Sequence, residues 1–350
     1  ILIAGVGLAA PFALNAVSHV VIILALLFWR PDPQPIRAHH GSILSEMATG
    51  LRHVRHNPAM VATLVRALAF FFFASGYWSL LPLIARGAEG GGSELYGILM
   101  ALIGTGAVTG ALLLPKLSGK LNTDQTVMIG TGGTALALIL LALATTPPFL
   151  MAAAFLGGLS WIAVLTSFNV SAQMALPDWI RARGLAVFLM GFFGSMALGS
   201  LIWGQIASAT SVLVALLVAA GGLVLGLFAT RKFEVGQGEK KDLSAAAIWP
   251  EAPTLSEKHG TDQRAMVTVE YRIKEENRAA FQSAIAAFSK ERFRDGATQW
   301  HLHQSVEDPD LWIETFHLPS WAEHLEQHKR VTKDDADLQA QVRAFDLRES

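Results

Sequence analysis

The chain has 350 residues, 52% of them hydrophobic and only 16% charged, with 27 Lys and Arg against 28 Asp and Glu. Charged residues usually make up about a quarter of a soluble domain, so this balance argues against an ordinary soluble protein. The absence of cysteine excludes disulfides, thiolate metal centres and cysteine nucleophiles.

The average conceals a division. Up to residue 233 there are 12 Lys and Arg against 6 Asp and Glu, and from residue 234 onward 15 against 22. Opposite charge and opposite hydropathy predict two domains: a membrane part over residues 1–233 and an acidic soluble part over 265–350. The stretch 234–264, rich in Gly, Pro, Ser and Ala, reads as the linker. A basic membrane part suits a bilayer with anionic headgroups, and the acidic part argues against nucleic acid as a partner.

Residues 1–29 open the sequence already inside an apolar stretch, with no initiator Met, which predicts that the chain is incomplete at this end. Pro31, Pro33 and Pro35 then end that helix. Ile43, Leu44, Met47, Leu51 and Val54 recur at helical spacing, with Arg52, Arg55 and His56 on other faces. They predict an amphipathic helix on the membrane surface, either a lever between two halves or a simple connector. Six apolar runs follow, near 59–84, 95–114, 127–144, 149–175, 185–208 and 212–228. Each is long enough to cross a hydrocarbon core of about 30 Å at about 1.5 Å per residue.

Basic residues cluster in alternate loops: Arg30, Arg37, Arg52 and Arg55, then Lys116 and Lys120, then Arg181 and Arg183, then Arg231 and Lys232. Lys and Arg resist translocation, so these loops and the C-terminal domain belong in the cytoplasm. The pairs Gly106/Gly110, Ser195/Gly199 and Gly222/Gly226 are four residues apart, a spacing that lets helix backbones approach closely.

After the linker the period changes. Residues 266–273 alternate like a strand, 275–293 carry a helical pattern, and 298–306 and 311–318 are strand-like around Asp308-Pro309-Asp310. Ser320 with Glu323 opens a further helix to about residue 329, and 334–345 forms another. Strand, helix, strand, strand, helix is most of a ferredoxin-like α+β sandwich. Only a last strand is lacking, so the open edge predicts either a chain cut at this end too or an edge covered by a partner.

The stretch Pro177-Asp178-Trp179-Ile180-Arg181-Ala182-Arg183, followed by Gly194, Met196-Ala197-Leu198-Gly199-Ser200 and Trp203-Gly204, resembles the major facilitator superfamily. More narrowly it is similar to the enterobactin-exporter-like branch, the transmembrane secretion effectors. Gly50-Leu51-Arg52, Asn57-Pro58, Leu81-Pro82-Leu83 and Leu113-Leu114-Pro115-Lys116 with Asp124 carry the resemblance across the membrane part. It implies twelve helices in two pseudo-symmetric halves, alternating access and no enzymatic activity or cofactor. On that map residues 1–9 end the fifth helix, 11–29 form the sixth, and the six runs are the second half. The missing N-terminal half would be a partner, and the carboxylate for proton coupling would lie in it. The resemblance also implies a gating loop at Asp178, Arg181 and Arg183, in the cytoplasmic (inner) membrane of a cell. The loop 116–124 keeps only scattered Lys and one Asp of the superfamily's usual motif.

Polar groups inside the membrane are the substrate-path candidates, because lipid cannot satisfy them. Asn15 and His19 lie four apart, and Asn169 and Gln173 likewise. Singly, each also reads as an interhelical hydrogen bond worth about 0.6 kcal/mol. Trp78 and Trp161 could line an apolar cavity, and Trp29 and Trp179 read as interface anchors. Arg66 reads as snorkelling to the surface.

The C-terminal part, around Trp321-Ala322-Glu323-His324-Leu325 with His328 and Arg330-Val331-Thr332, resembles dimeric ferredoxin-like domains of the antibiotic-biosynthesis monooxygenase type. That implies a homodimer contact. His324 and His328 at one-turn spacing are weak zinc candidates, with solvated or core-edge histidine as the default. His301, His303 and His317 are expected on one sheet face, and Trp300, Trp312 and Phe316 in the core. The reading is therefore an exporter of small amphipathic or siderophore-like molecules. Its rival is an oxygenase-like or ligand-sensing domain tethered by the spans.

Overall fold

The computed structural model describes residues 9–29, 43–88, 91–117, 119–144, 146–244, 246 and 264–348. Pro31, Pro33 and Pro35, most of the stretch predicted as linker, and residues 1–8 lie outside them. The chain divides into two units, Ile1–Ser42 and Ile43–Ser350. In the first, a single apolar helix, α1 (Ala9–Phe28), is described.

The second unit opens with α2 (Ile43–His56) and continues into six helices long and apolar enough to cross a membrane. These are α3 (Pro58–Gly87), α4 (Ser93–Leu117), α5 (Thr123–Leu143), α6 (Pro147–Met174), α7 (Arg181–Ala209) and α8 (Val212–Ala229). Asn57 sets the start of α3: its side-chain oxygen accepts from the Met60 amide at 3.2 Å, and Pro58 takes the first helical position. The same side chain donates to the Ala175 carbonyl at 2.6 Å, which pins that start to the end of α6. Asn122 and Gln125 form a reciprocal capping box on α5.

In the bundle α4 packs on α6, α6 on α5, α5 on α8, and α8 and α7 on α3. Small residues set the closest approaches. A Cβ on Gly106 of α4 would collide with the Phe155 carbonyl of α6, and one on Gly158 of α6 with the Ile103 carbonyl of α4. Gly199 of α7 likewise lies against the Phe72 carbonyl, and Gly222 of α8 against the Phe73 ring. Gly226, the partner of Gly222 in the sequence pattern, has only ordinary contacts, the nearest at 3.7 Å. Buried donors finish the seams: Trp203 gives its indole N–H to the Phe72 carbonyl at 2.9 Å, and Tyr77 its hydroxyl to the Ala154 carbonyl at 3.0 Å.

A 3-10 turn, Gln237–Lys240, returns the chain against α6. The C-terminal part then forms β1 (Ala265–Arg272), α9 (Arg278–Arg294), β2 (Gln299–Gln304), β3 (Leu311–Leu318), α10 (Trp321–Arg330) and α11 (Lys333–Arg343). The sheet is antiparallel in the order β1-β3-β2. Tyr271 faces Trp312 across β1 and β3, and Trp300 faces Phe316 across β2 and β3. Trp312 and Phe316 are buried with Phe281, Ile285 and Phe288, whereas Trp300 is half-buried.

The apolar stripe expected on α2 is divided, Val54 packing against the protein and Met47 and Leu51 facing outward. His53 is buried against neighbouring elements as well. Gly50 is the reason: the Arg183 Cβ stands 3.0 Å from where its own Cβ would be, so α7 approaches on the Gly50 side.

Candidate functional site

Two of the sequence-predicted path residues meet directly. Trp78 of α3 and Trp161 of α6 stand edge to face with centroids 5.3 Å apart. Phe71 adds contacts to Trp161 at 5.6 Å and to Phe192 of α7 at 4.4 Å, so rings from three helices form one continuous seam. The Trp78 indole nitrogen is buried there without a hydrogen-bond partner.

Asn169 and Gln173 lie further along α6. Asn169 is half-buried and donates to the Leu165 carbonyl of its own helix at 2.9 Å, and Gln173 is exposed. Neither is committed to another helix. In the first unit, His19 places a ring nitrogen 2.8 Å from the Asn15 carbonyl, and both side chains are exposed along α1.

At the end of the bundle that holds the starts of α3, α5 and α7, Asp178 and Asp124 each pair with an arginine. Asp178 and Arg181 form an ion pair at 2.6 Å, with Asp178 almost fully exposed. Asp178 does not cap α7, whose N-cap position is Ile180 with no side-chain cap bond. Arg183, the third residue of the expected gating loop, has its Cβ packed on Gly50. Arg66 does not snorkel. It is buried and ion-paired with Asp124 from the first turn of α5. The residual loop acid is thus a structural partner, a role invisible in the sequence because the two residues are 58 positions apart.

The same end carries a cleft of about 490 Å³ between α4, α5 and α6, within the roughly 300–1,000 Å³ range of small-molecule sites. Leu114, Val170 and Met174 make its apolar wall; Asn122, Thr126, Thr166 and Ser167 supply polar groups. Glu239 from the 3-10 turn closes one side and accepts from the Thr123 hydroxyl at 2.5 Å. Sequence reasoning missed all of these residues. The alternation of Thr and Ser with apolar positions at 166, 167, 170 and 174 was the available signal, and Glu239 fell in the stretch read as linker.

In the C-terminal part, His301 and His303 stack at 5.9 Å on exposed β2, and His317 lies on the same sheet face opposite Gln299. His324 packs on Trp321 at 4.9 Å, and the side chain of His328 lies outside the described residues. Among the described residues no three His, Asp or Glu side chains converge as a metal site. The buried charge lies elsewhere. Arg294 of α9 is surrounded by Glu291, Asp295 at 3.2 Å and Asp335 at 2.7 Å. Burial, and then Asp335 beside it, pushes the Glu291 carboxyl up to about 8 against the pull of Arg294. Asp335 is held below its usual value by Arg294 and by hydrogen bonds from Glu291 and Arg294, which outweigh its burial. Burial raises Asp295 as well, so the three carboxylates around one guanidinium titrate together and the cluster retains a proton.

Comparison with protein-family models matches residues 1–349 to the family described as "Transmembrane secretion effector". The chain belongs to that family. It is therefore a multi-pass membrane protein of the major facilitator type, a family of transporters rather than enzymes. The match runs through the spans and through the sheet-bearing part alike. A search of curated proteins returned no match.

Proposed function

We propose that the chain acts as a secondary active exporter of small amphipathic or siderophore-like molecules, working by alternating access and coupled to protons. On this reading residues 1–233 are its membrane domain, set in the inner membrane, and 234–264 the connection. Residues 265–350 are a ferredoxin-like cytoplasmic domain that pairs with a second copy. The observation that carries the proposal is the family match over both parts of a chain whose six spans form one bundle. The ring seam around Trp78 and Trp161, with its unpaired indole donor, supports an amphipathic substrate. The order β1-β3-β2 supports the ferredoxin-like assignment, because it lacks only an outer strand beside β1. The basic loops support the orientation.

The test is energy-dependent efflux of fluorescent amphipathic compounds from intact cells expressing the chain joined to the N-terminal half that the resemblance implies. Efflux that collapses with the proton gradient supports the proposal. Trp78→Ala and Trp161→Ala should each slow it about two- to tenfold, the value of one lost ring contact of about 0.5–1.5 kcal/mol. Efflux unchanged by both substitutions, or none for any compound, would move the function to the C-terminal domain.

A further inference from the structure

Between the membrane helices and the C-terminal part, α2 is a wedge. On one side Gly50 admits Arg183 and His53 stands edge-on to Trp179, with centroids 5.5 Å apart and planes at 90°. On the other, His56 stacks on Phe293 of α9 at 5.6 Å. The Arg330 guanidinium of α10 lies over the Trp179 ring at 4.6 Å. The C-terminal part thus holds the loop entering α7 both directly and through α2.

His53 is the centre of this contact. It is 0% exposed, and neither ring nitrogen has a hydrogen-bond partner. The charged groups that face it are Arg52 from its own helix, Arg294 from α9, Arg330 from α10 and Asp335 from α11. Three guanidinium groups oppose one carboxylate, whose Oδ2 is engaged with Arg294 at 2.7 Å and the Thr332 hydroxyl at 2.8 Å and whose Oδ1 has no hydrogen-bond partner. The loop entering α7 presents an aromatic ring at this point. Among the described residues, an imidazolium would be buried with three guanidinium groups against the one carboxylate of Asp335.

We propose that His53 is a proton-sensitive latch, holding the C-terminal part on the loop that enters α7 while neutral and releasing it when protonated. This goes beyond the transport reading and does not depend on it. Burial first, and then Arg294, holds the docked ring's pKa down to about 3, against an ordinary 6.5. A group whose pKa is depressed by docking weakens that docking as pH falls below its free value. The loss is about tenfold for each unit below 6.5, until the docked ring itself titrates.

The chain has no cysteine of its own, so spin labels at Lys232→Cys and Ser283→Cys, both exposed, report the separation of the two parts in lipid nanodiscs. One narrow distance is expected at pH 8. A longer population should grow below about pH 6.5, the docked-to-released ratio falling roughly thirtyfold by pH 5. His53→Gln should keep the narrow distance at pH 5. Arg330→Gln, which weakens the docked contact, should release at higher pH than the parent and serves where His53→Gln does not fold. A parent distance unchanged between pH 8 and 5, or release in His53→Gln matching the parent, would overturn the latch.

Discussion

Arg66 and Asp124 hold each other across the starts of two spans. The guanidinium is 3% exposed, and the carboxylate also accepts the Val235 amide at 3.2 Å. One acid therefore fixes a buried charge and the chain leaving α8.

Removing that acid strands the charge. Asp124→Asn is expected to destabilise the bundle by about 3–5 kcal/mol, the cost of an uncompensated buried ion. Arg66→Met combined with Asp124→Leu should recover most of the loss. Unfolding of the parent, Asp124→Leu, Arg66→Met and the double variant in detergent measures the coupling, and additive losses would show that the pair is not coupled.

Close helix contact makes a second, sharply local prediction. Gly106→Val should separate α4 from α6 and cost about 3 kcal/mol or more, because the obstruction is a backbone carbonyl that cannot swing away. Gly226→Ala meets nothing nearer than 3.7 Å inside α8 and should leave the midpoint of thermal unfolding unchanged or raised by a few degrees, about 0.5–1 kcal/mol of helix propensity.

Glu291 gives the C-terminal part a pH dependence of defined sign. Folded, it binds a proton up to about pH 8; its ordinary value is 4.5. A raised pKa contributes stability that is complete below 4.5 and is lost as pH rises to 8. Glu291→Gln, which imitates the protonated group, should flatten that slope in denaturant titrations at pH 4.5, 6 and 8. A slope as steep as the parent's would assign it to another group.

Glu314 is the most enclosed acid of the sheet, at 0% exposure. It accepts from Tyr271 at 2.9 Å, from Trp300 at 2.9 Å and from Arg292 at 3.2 Å. Glu314→Leu leaves all three donors without it and should cost about 3–5 kcal/mol. Tyr271→Phe removes one bond and should cost about 1–2 kcal/mol. Hydrogen exchange of β1 and β3 amides reads both, and similar losses from the two would contradict a shared acceptor.

Elements with a strong local signal were legible in the sequence. The six spans follow from apolar length alone, and the strands from the alternation that places Trp312, Glu314 and Phe316 on one face. Trp78 and Trp161 were read as lining an apolar cavity, and the contact that brings the two rings together comes from separate helices and carried no local signal. Arg66 was misread because snorkelling is a local argument, whereas its true partner lies in another helix. His53 carried no signal: its burial depends on Gly50, Trp179, Arg294 and Arg330, which come from four separate elements. The cleft beside Glu239 was hidden for the same reason.

The glycine contacts have a mechanical consequence. Where Gly106 and Gly158 bring α4 and α6 backbone to backbone, neither helix can slip without steric collision, and Gly199 gears α7 to α3 in the same way. Between α3 and α6 the contact is made largely by rings at 5–6 Å, among them Phe70, Phe71, Trp78, Trp161 and Phe168. Rings can tilt past one another where meshed backbones cannot. The seams at Gly106, Gly158 and Gly199 are thus held backbone to backbone, and the α3–α6 seam is one of rings that runs through the tryptophans.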